Sequence, residues 1–219
     1  MRCLPVMLLC LAAQAHAGAW PRDEGALFIV TGGNVALFGD AVRPVHYDPT
    51  FFLEYGMTPG LTLGLQGHTA DAGTSGTVLG FGRLHLHETP GGDHFAISAA
   101  YGLTMIPTGA VETVVRGGLH WGRGLPHGWV AVDGYATLTL DNDRLESKID
   151  AIWGHRLNDR WTTMLSAEAG TGLEGDFYAK LAPSISLRIS ERADVRIGLV
   201  RALTGDRGGG LTVESWLRF

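Results

Sequence analysis

The chain has 219 residues, 18% of them charged, with a formal net charge of −5 and a mean hydropathy of only +0.10. That acidic balance argues against a nucleic-acid partner, and no stretch is long and apolar enough to cross a membrane as a helix. The 32 glycines are scattered through apolar segments rather than gathered into tracts, so none reads as a flexible linker.

Taken in chain order, Met1-Arg2 supplies a short positive region, Leu4 to Ala13 an apolar stretch, and Ala15-His16-Ala17 an A-x-A site. This pattern predicts a Sec signal peptide over residues 1–17, cleaved before Gly18. Cys3 and Cys10 both lie inside it. Leu9 stands where a lipoprotein site wants a small residue, which argues against a lipid anchor on Cys10. Cleavage would leave residues 18–219 with no cysteine, hence no disulfide and no thiol-ligated metal. It would also leave 16 basic residues against 22 acidic ones.

Residues 18–219 read as one all-β domain. Turn signals recur at Thr58-Pro59-Gly60, Thr89-Pro90-Gly91-Gly92-Asp93, Gly122 to Gly128, Asp141-Asn142-Asp143, Asn158-Asp159 and Glu191-Arg192. Between them lie segments of about eight to fourteen residues patterned with a period of two. The predicted strands are 26–37, 50–57, 60–69, 76–88, 94–104, 111–121, 128–140, 145–155, 160–169, 176–189, 193–203 and 209–219. The expected fold is a closed antiparallel up-and-down transmembrane β-barrel of about twelve strands, ten being the alternative count. The tenth segment is the clearest: Phe177, Ala179, Leu181, Pro183, Ile185, Leu187 and Ile189 alternate with Tyr178, Lys180, Ser184, Ser186 and Arg188. Pro183 has no N–H to give to a ladder, so a bulge or break is expected there.

With the first strand running outward, Trp121, Trp153 and Trp161 fall near periplasmic strand ends on the lipid-facing phase, as an aromatic girdle would. Trp129 and Trp216 share that level but point inward. The last segment puts Leu211, Val213, Leu217 and Phe219 on one face and Thr212, Glu214 and Arg218 on the other. An amphipathic strand ending on an aromatic residue is the kind of closing strand that outer-membrane assembly machinery recognises, with Leu217 and Phe219 as the signal. Outer-membrane lipid, that machinery and periplasmic chaperones are the expected partners.

In this pattern the chain resembles small Gram-negative outer-membrane β-barrel proteins. Two segments, Glu54 to Gly64 and Gly154 to Trp161, are also similar to strand-turn-strand units in the meta-pathway phenol-degradation group of outer-membrane transporters. That resemblance implies a barrel and a transport role, with aromatic compounds as solutes. The closing strand departs from the common signal by carrying Glu214 where glycine is favoured.

Strict alternation sends many ionisable groups into the lumen. The acidic ones are Glu54, Glu112, Asp133, Glu146, Asp150, Glu168 and Glu214. The basic ones are Arg83, Arg116, Lys148, Lys180, Arg188, Arg196 and Arg218, joined by His85, His87 and His120. Charges in a low-dielectric interior must be paired, hydrated, or both. The expected function is passive passage of small polar or aromatic solutes through this charged lumen, with no cofactor and no resident metal. The alternative is a sealed structural or assembly-partner barrel. A lipid-modifying enzyme is a lesser alternative, because Ser166, Ser184 and Ser186 point inward and no G-x-S-x-G is present. His85 and His87, two apart on one face, could serve a metal, but no further ligand completes a zinc pattern. The connection from Gly39 to Pro49 could fold inward as a constriction.

Overall fold

The computed structural model describes residues 18–38, 45–172, 175–205 and 208–219; the predicted signal peptide therefore lies outside the described residues. Twelve strands follow one another: β1 (Leu27–Phe38), β2 (His46–Thr58), β3 (Leu61–Ala70), β4 (Ser75–Glu88), β5 (Asp93–Met105) and β6 (Val111–Leu125). They continue as β7 (Gly128–Thr139), β8 (Arg144–Arg156), β9 (Trp161–Thr171), β10 (Phe177–Ser190), β11 (Ala193–Thr204) and β12 (Gly209–Arg218). Each pairs antiparallel with its neighbour, and β1 pairs with β12, so the sheet is a closed barrel. At the seam Phe28 faces Arg218 and Val30 faces Trp216. Phe219 is tied in as well: its N–H donates to Leu27 O at 2.8 Å, and Leu27 N–H donates back to its carbonyl at 3.0 Å.

Side-chain chemistry makes the tight turns. Thr58 Oγ1 accepts from Leu61 N–H at 3.1 Å, Asn158 Oδ1 from Trp161 N–H at 3.0 Å, and Asn142 Oδ1 from Arg144 N–H at 3.1 Å. Such local acceptors turn the chain without any core to fold around. The β3–β4 turn carries positive φ at Asp71 and Ala72. The Asp48 carboxylate braces it from β2, accepting from Ala72 N–H at 3.1 Å.

Two boundaries differ from expectation. β2 begins at His46, so His46 to Pro49 belong to the strand and not to a connecting loop; the rest of that supposed constriction, 39–44, lies outside the described residues. β6 runs on to Leu125, through glycines that read as a turn: Gly122 pairs with Ala131 and Gly124 with Trp129. At Pro183 the β10–β11 ladder is interrupted, with no partner for Ala182 or Pro183 and the same register resuming at Ser184 opposite Gly198. The missing donor thus costs a gap and no slip.

The outer wall is apolar. Leu65, Val78, Leu103, Leu119, Ile149, Leu165, Ile185, Ile197 and Val213 all point outward and are exposed. No helix is long and apolar enough to cross a membrane, which says nothing of strands. A wall like this suits hydrocarbon and not water. Trp153 and Trp161 are exposed on it near the end that carries Leu27 and Arg218, hereafter the inner end. Trp121 joins them, its indole N–H donating to Asp93 Oδ1 at 3.1 Å.

The register is checkable residue by residue. In a chain with no other cysteine after residue 17, Ser184→Cys should react with a water-soluble maleimide and Ile185→Cys only with a lipid-soluble one. The reverse pattern would place every inward residue of β10 on the wrong face.

Candidate functional site: the barrel lumen

The lumen has two halves of different character. At the inner end, residues 18–26 enter the barrel before β1 begins. Gly18 and Ala19 are buried, and Arg22 is only 9% exposed. Arg22 Nε donates to Glu54 Oε2 at 2.6 Å, and Arg83 donates to the other oxygen of the same carboxylate. Glu54 on β2, itself 1% exposed, is therefore clamped between two guanidiniums, one from the wall and one from the entering segment. A neighbouring group joins His120 Nδ1 to Asp133 Oδ1 at 2.7 Å, with His120 Nε2 within 2.8 Å of Ser98 Oγ.

Across the lumen the inner end is packed by Phe28, Val30, Trp129, Met164 and Trp216. Gly154 makes room for Trp129: a Cβ there would stand 2.3 Å from the indole. Beside this cluster Arg218 meets Asp194 at 2.5 Å, and Arg196 meets Glu214 at 3.2 Å. A polar cavity of about 430 Å³ opens at the inner mouth, lined by Arg156, Asn158, Thr162, Ser186, Arg188 and Asp194 among others.

The outer half is wetter. Lys148 bridges Asp150 at 3.2 Å and Glu168 at 2.8 Å, with about a third of each side chain still exposed. His68 faces inward on β3 and is nonetheless exposed, with Lys148, Arg116, Glu168 and Lys180 as its electrostatic neighbours. Arg116 donates to Thr137 Oγ1 at 3.0 Å and lies over the Tyr135 ring at 5.5 Å. Lys180 lies over the Tyr178 ring at 5.2 Å. Neither Arg116 nor Lys180 is in close ion-pair contact with a carboxylate among the described residues, though Glu168 stands opposite Lys180 in the ladder and Asp150 and Glu146 act on Arg116 from further off. Near the rim, Arg144 holds Glu112 at 2.8 Å and Glu146 at 3.0 Å.

Glu54, Arg83, His85, Glu112, Arg116, His120, Asp133, Glu146, Lys148, Asp150, Glu168, Lys180 and Arg188 occupy inward positions, as alternation predicts. His87 does not. A bulge between His85 and His87 sets His87 opposite Phe95, on the outward phase, while His85 stays opposite the inward Ala96. An extra residue in one strand inverts the faces beyond it, so the two histidines cannot serve one ion. Among the described residues no group of three or more His, Cys, Asp or Glu side chains could hold a metal.

Sequence reasoning missed Arg22, Arg144, Asp194 and His68. Strand alternation could have found His68, in phase with Thr62 and Gln66, and Asp194, in phase with Arg196. Arg22 precedes the first strand, where no periodicity speaks.

No protein-family model matches the chain, and neither does any curated protein. The resemblance to the phenol-degradation group finds no support there. Solved structures do match. A KdgM porin in complex with disordered oligogalacturonate is 11% identical, with a TM-score of 0.65 over 88% of this chain and 99% of the porin. The NanC porin is 8% identical, with a TM-score of 0.61 over 87% of this chain and 98% of that one. The CymD monoaromatic hydrocarbon channel is 10% identical, with a TM-score of 0.53 over 90% and 89%. The fold is thus the one these outer-membrane proteins share.

Glu54→Gln leaves Arg22 and Arg83 buried without a counter-charge. It should cost roughly 3–5 kcal/mol, read as a lower unfolding midpoint for the compact band of unboiled protein. Arg22→Ser should cost much less, because Glu54 keeps Arg83.

Proposed function

We propose that the protein is an outer-membrane channel for the passive entry of small solutes, with a preference for anions. The observation that carries this reading is the solvated outer half of the lumen. There Arg116 and Lys180 present positive charge that is not taken up in a close ion pair among the described residues, beside an exposed His68. Fixed cations lining a confined passage attract anions and repel cations. The barrel's apolar outer wall supports placement in a membrane. The predicted leader over residues 1–17 supports export, and Leu217 with Phe219 supports recognition by the assembly machinery. Among solutes, oligogalacturonate is the first to try, since a porin of the same fold is described in complex with it; monoaromatic hydrocarbons, for which a channel of the same fold is named, carry no charge for Arg116 and Lys180 to attract.

A sealed barrel is the second reading. It is favoured by the packed inner layer of Phe28, Val30, Trp129, Met164 and Trp216.

Planar-bilayer recordings separate the two. Unit steps carried mainly by anions are expected, and Arg116→Glu combined with Lys180→Glu should turn the preference toward cations. Silence across a range of voltages, in folded chains with and without residues 18–23, would leave the sealed barrel standing. Assembly is tested separately. Deleting Phe219 should leave export intact and strip the protein from the heat-modifiable membrane fraction, and normal levels there would remove its role as a signal.

A further inference from the structure

Residues 18–23 precede the sheet yet are matched, group by group, to the inside of its wall. Gly18 N–H points at Asp133 Oδ2 at 3.5 Å, and Ala19 O lies 3.2 Å from His85 Nδ1. Arg22 N–H reaches Thr62 Oγ1 at 3.3 Å, and its guanidinium holds Glu54 at 2.6 Å. Trp20 lies against the His94 ring, 5.2 Å between centroids. Terminal stretches are ordinarily frayed.

The wall is also cut away where the segment lies. A Cβ on Gly122 would fall 2.3 Å from two ring carbons of Trp20, and one on Gly56 would fall 2.0 Å from the carbonyl oxygen of Asp23. Any side chain on Gly18 itself would strike His120 Nδ1 at 2.3 Å. Among the described residues, backbone bonds tie the stretch to the wall at its base, from Gly25 N–H to Gly56 O at 2.8 Å and from Gly56 N–H to Ala26 O at 3.0 Å.

Both carboxylates that grip the segment have a second partner in the wall. Glu54 has Arg83, and Asp133 has His120, which also contacts Ser98. Withdrawing the segment would therefore leave neither acid buried alone, the situation that makes breaking a buried pair so costly. The duplicates thus lower the cost of releasing the segment.

We propose that residues 18–23 form a tethered plug over the inner end of the lumen, seated by the Gly18 amino group on Asp133 and by Arg22 on Glu54. The proposal rests on the channel reading for its consequence, and on the wall geometry for its existence. Hydrolysis of the Ala17–Gly18 bond by water leaves a carboxylate on Ala17 and an α-ammonium on Gly18. Processing thus turns a neutral amide donor into a cation facing Asp133, and export itself supplies the charge that seats the plug.

The test compares the processed wild-type protein with Arg22→Ser/Asp133→Asn and with a chain lacking residues 18–23. Hydrogen exchange reads the plug and bilayer conductance reads the pore. In the wild type the amides of Arg22, Gly25 and Ala26 should exchange slowly. In the double variant that of Arg22 should exchange at least about tenfold faster, with strand amides unchanged, as local opening without global unfolding requires. Conductance should rise severalfold in the double variant and in the deletion alike. If residues 18–26 of the wild type exchange as a free peptide, or the double variant changes neither readout, the plug is overturned. If exchange behaves as expected and all three chains stay silent, the channel reading fails, and with it any gating role for the segment.

Discussion

In hydrocarbon a backbone N–H or C=O without a partner costs several kcal/mol, so a sheet that spans a bilayer must close. Everything else in this molecule follows from the seam between β1 and β12. Closure sets the two ends of the sheet at one end of the barrel, because the strand number is even. It carries the ladder to Phe219, whose N–H and carbonyl both bond Leu27. Closure also commits every second residue to an enclosed space. A side chain on the inner phase has no surface to escape to, and its charge must find a partner or keep its water.

The two halves of the lumen answer that demand differently. Near the inner end the answer is pairing: Arg22 and Arg83 on Glu54, His120 on Asp133, Arg196 on Glu214, Arg218 on Asp194. Buried pairs of this kind do little for stability, since desolvation consumes most of what attraction returns. What they do is leave none of these inward charges without a counter-charge. In the outer half the answer is hydration, with Lys148, Asp150 and Glu168 paired yet still wet.

Most of this was legible in the sequence because a barrel strand obeys a single rule. The twelve segments, the inward charges, the outward Trp121, Trp153 and Trp161, and the break at Pro183 all follow from alternation and turn chemistry. What alternation could not show falls into two kinds. One is local insertion: the bulge after His85 reverses the face of His87, and nothing in Leu86-His87-Glu88 announces it. The other is anything outside the ladder. Gly122 and Gly124 read as a turn because glycine usually marks one. Gly122 is small because Trp20 lies on it, a contact between segments a hundred residues apart. Arg22 escaped notice for the same reason, since its partner is chosen by the closed barrel and not by its neighbours in sequence.

The same wall therefore holds charges under two dielectric regimes, and the entering segment marks the border. At a separation of 4 Å two charges interact by about 1 kcal/mol in water and by about 4 kcal/mol at the effective permittivity of a partly screened protein site. In the proposed channel, Arg116 and Lys180 above the border would act on a hydrated solute weakly enough to let it leave. Below it, Arg22, Arg83, His120, Arg196 and Arg218 are committed to Glu54, Asp133, Asp194 and Glu214, while Arg156 and Arg188 line the inner mouth. In the proposed channel a solute drawn into the outer half would pass a level of paired charges before it reached the arginine-lined inner mouth. Passive flow requires that at each level the attraction be enough for the solute to enter and weak enough for it to leave.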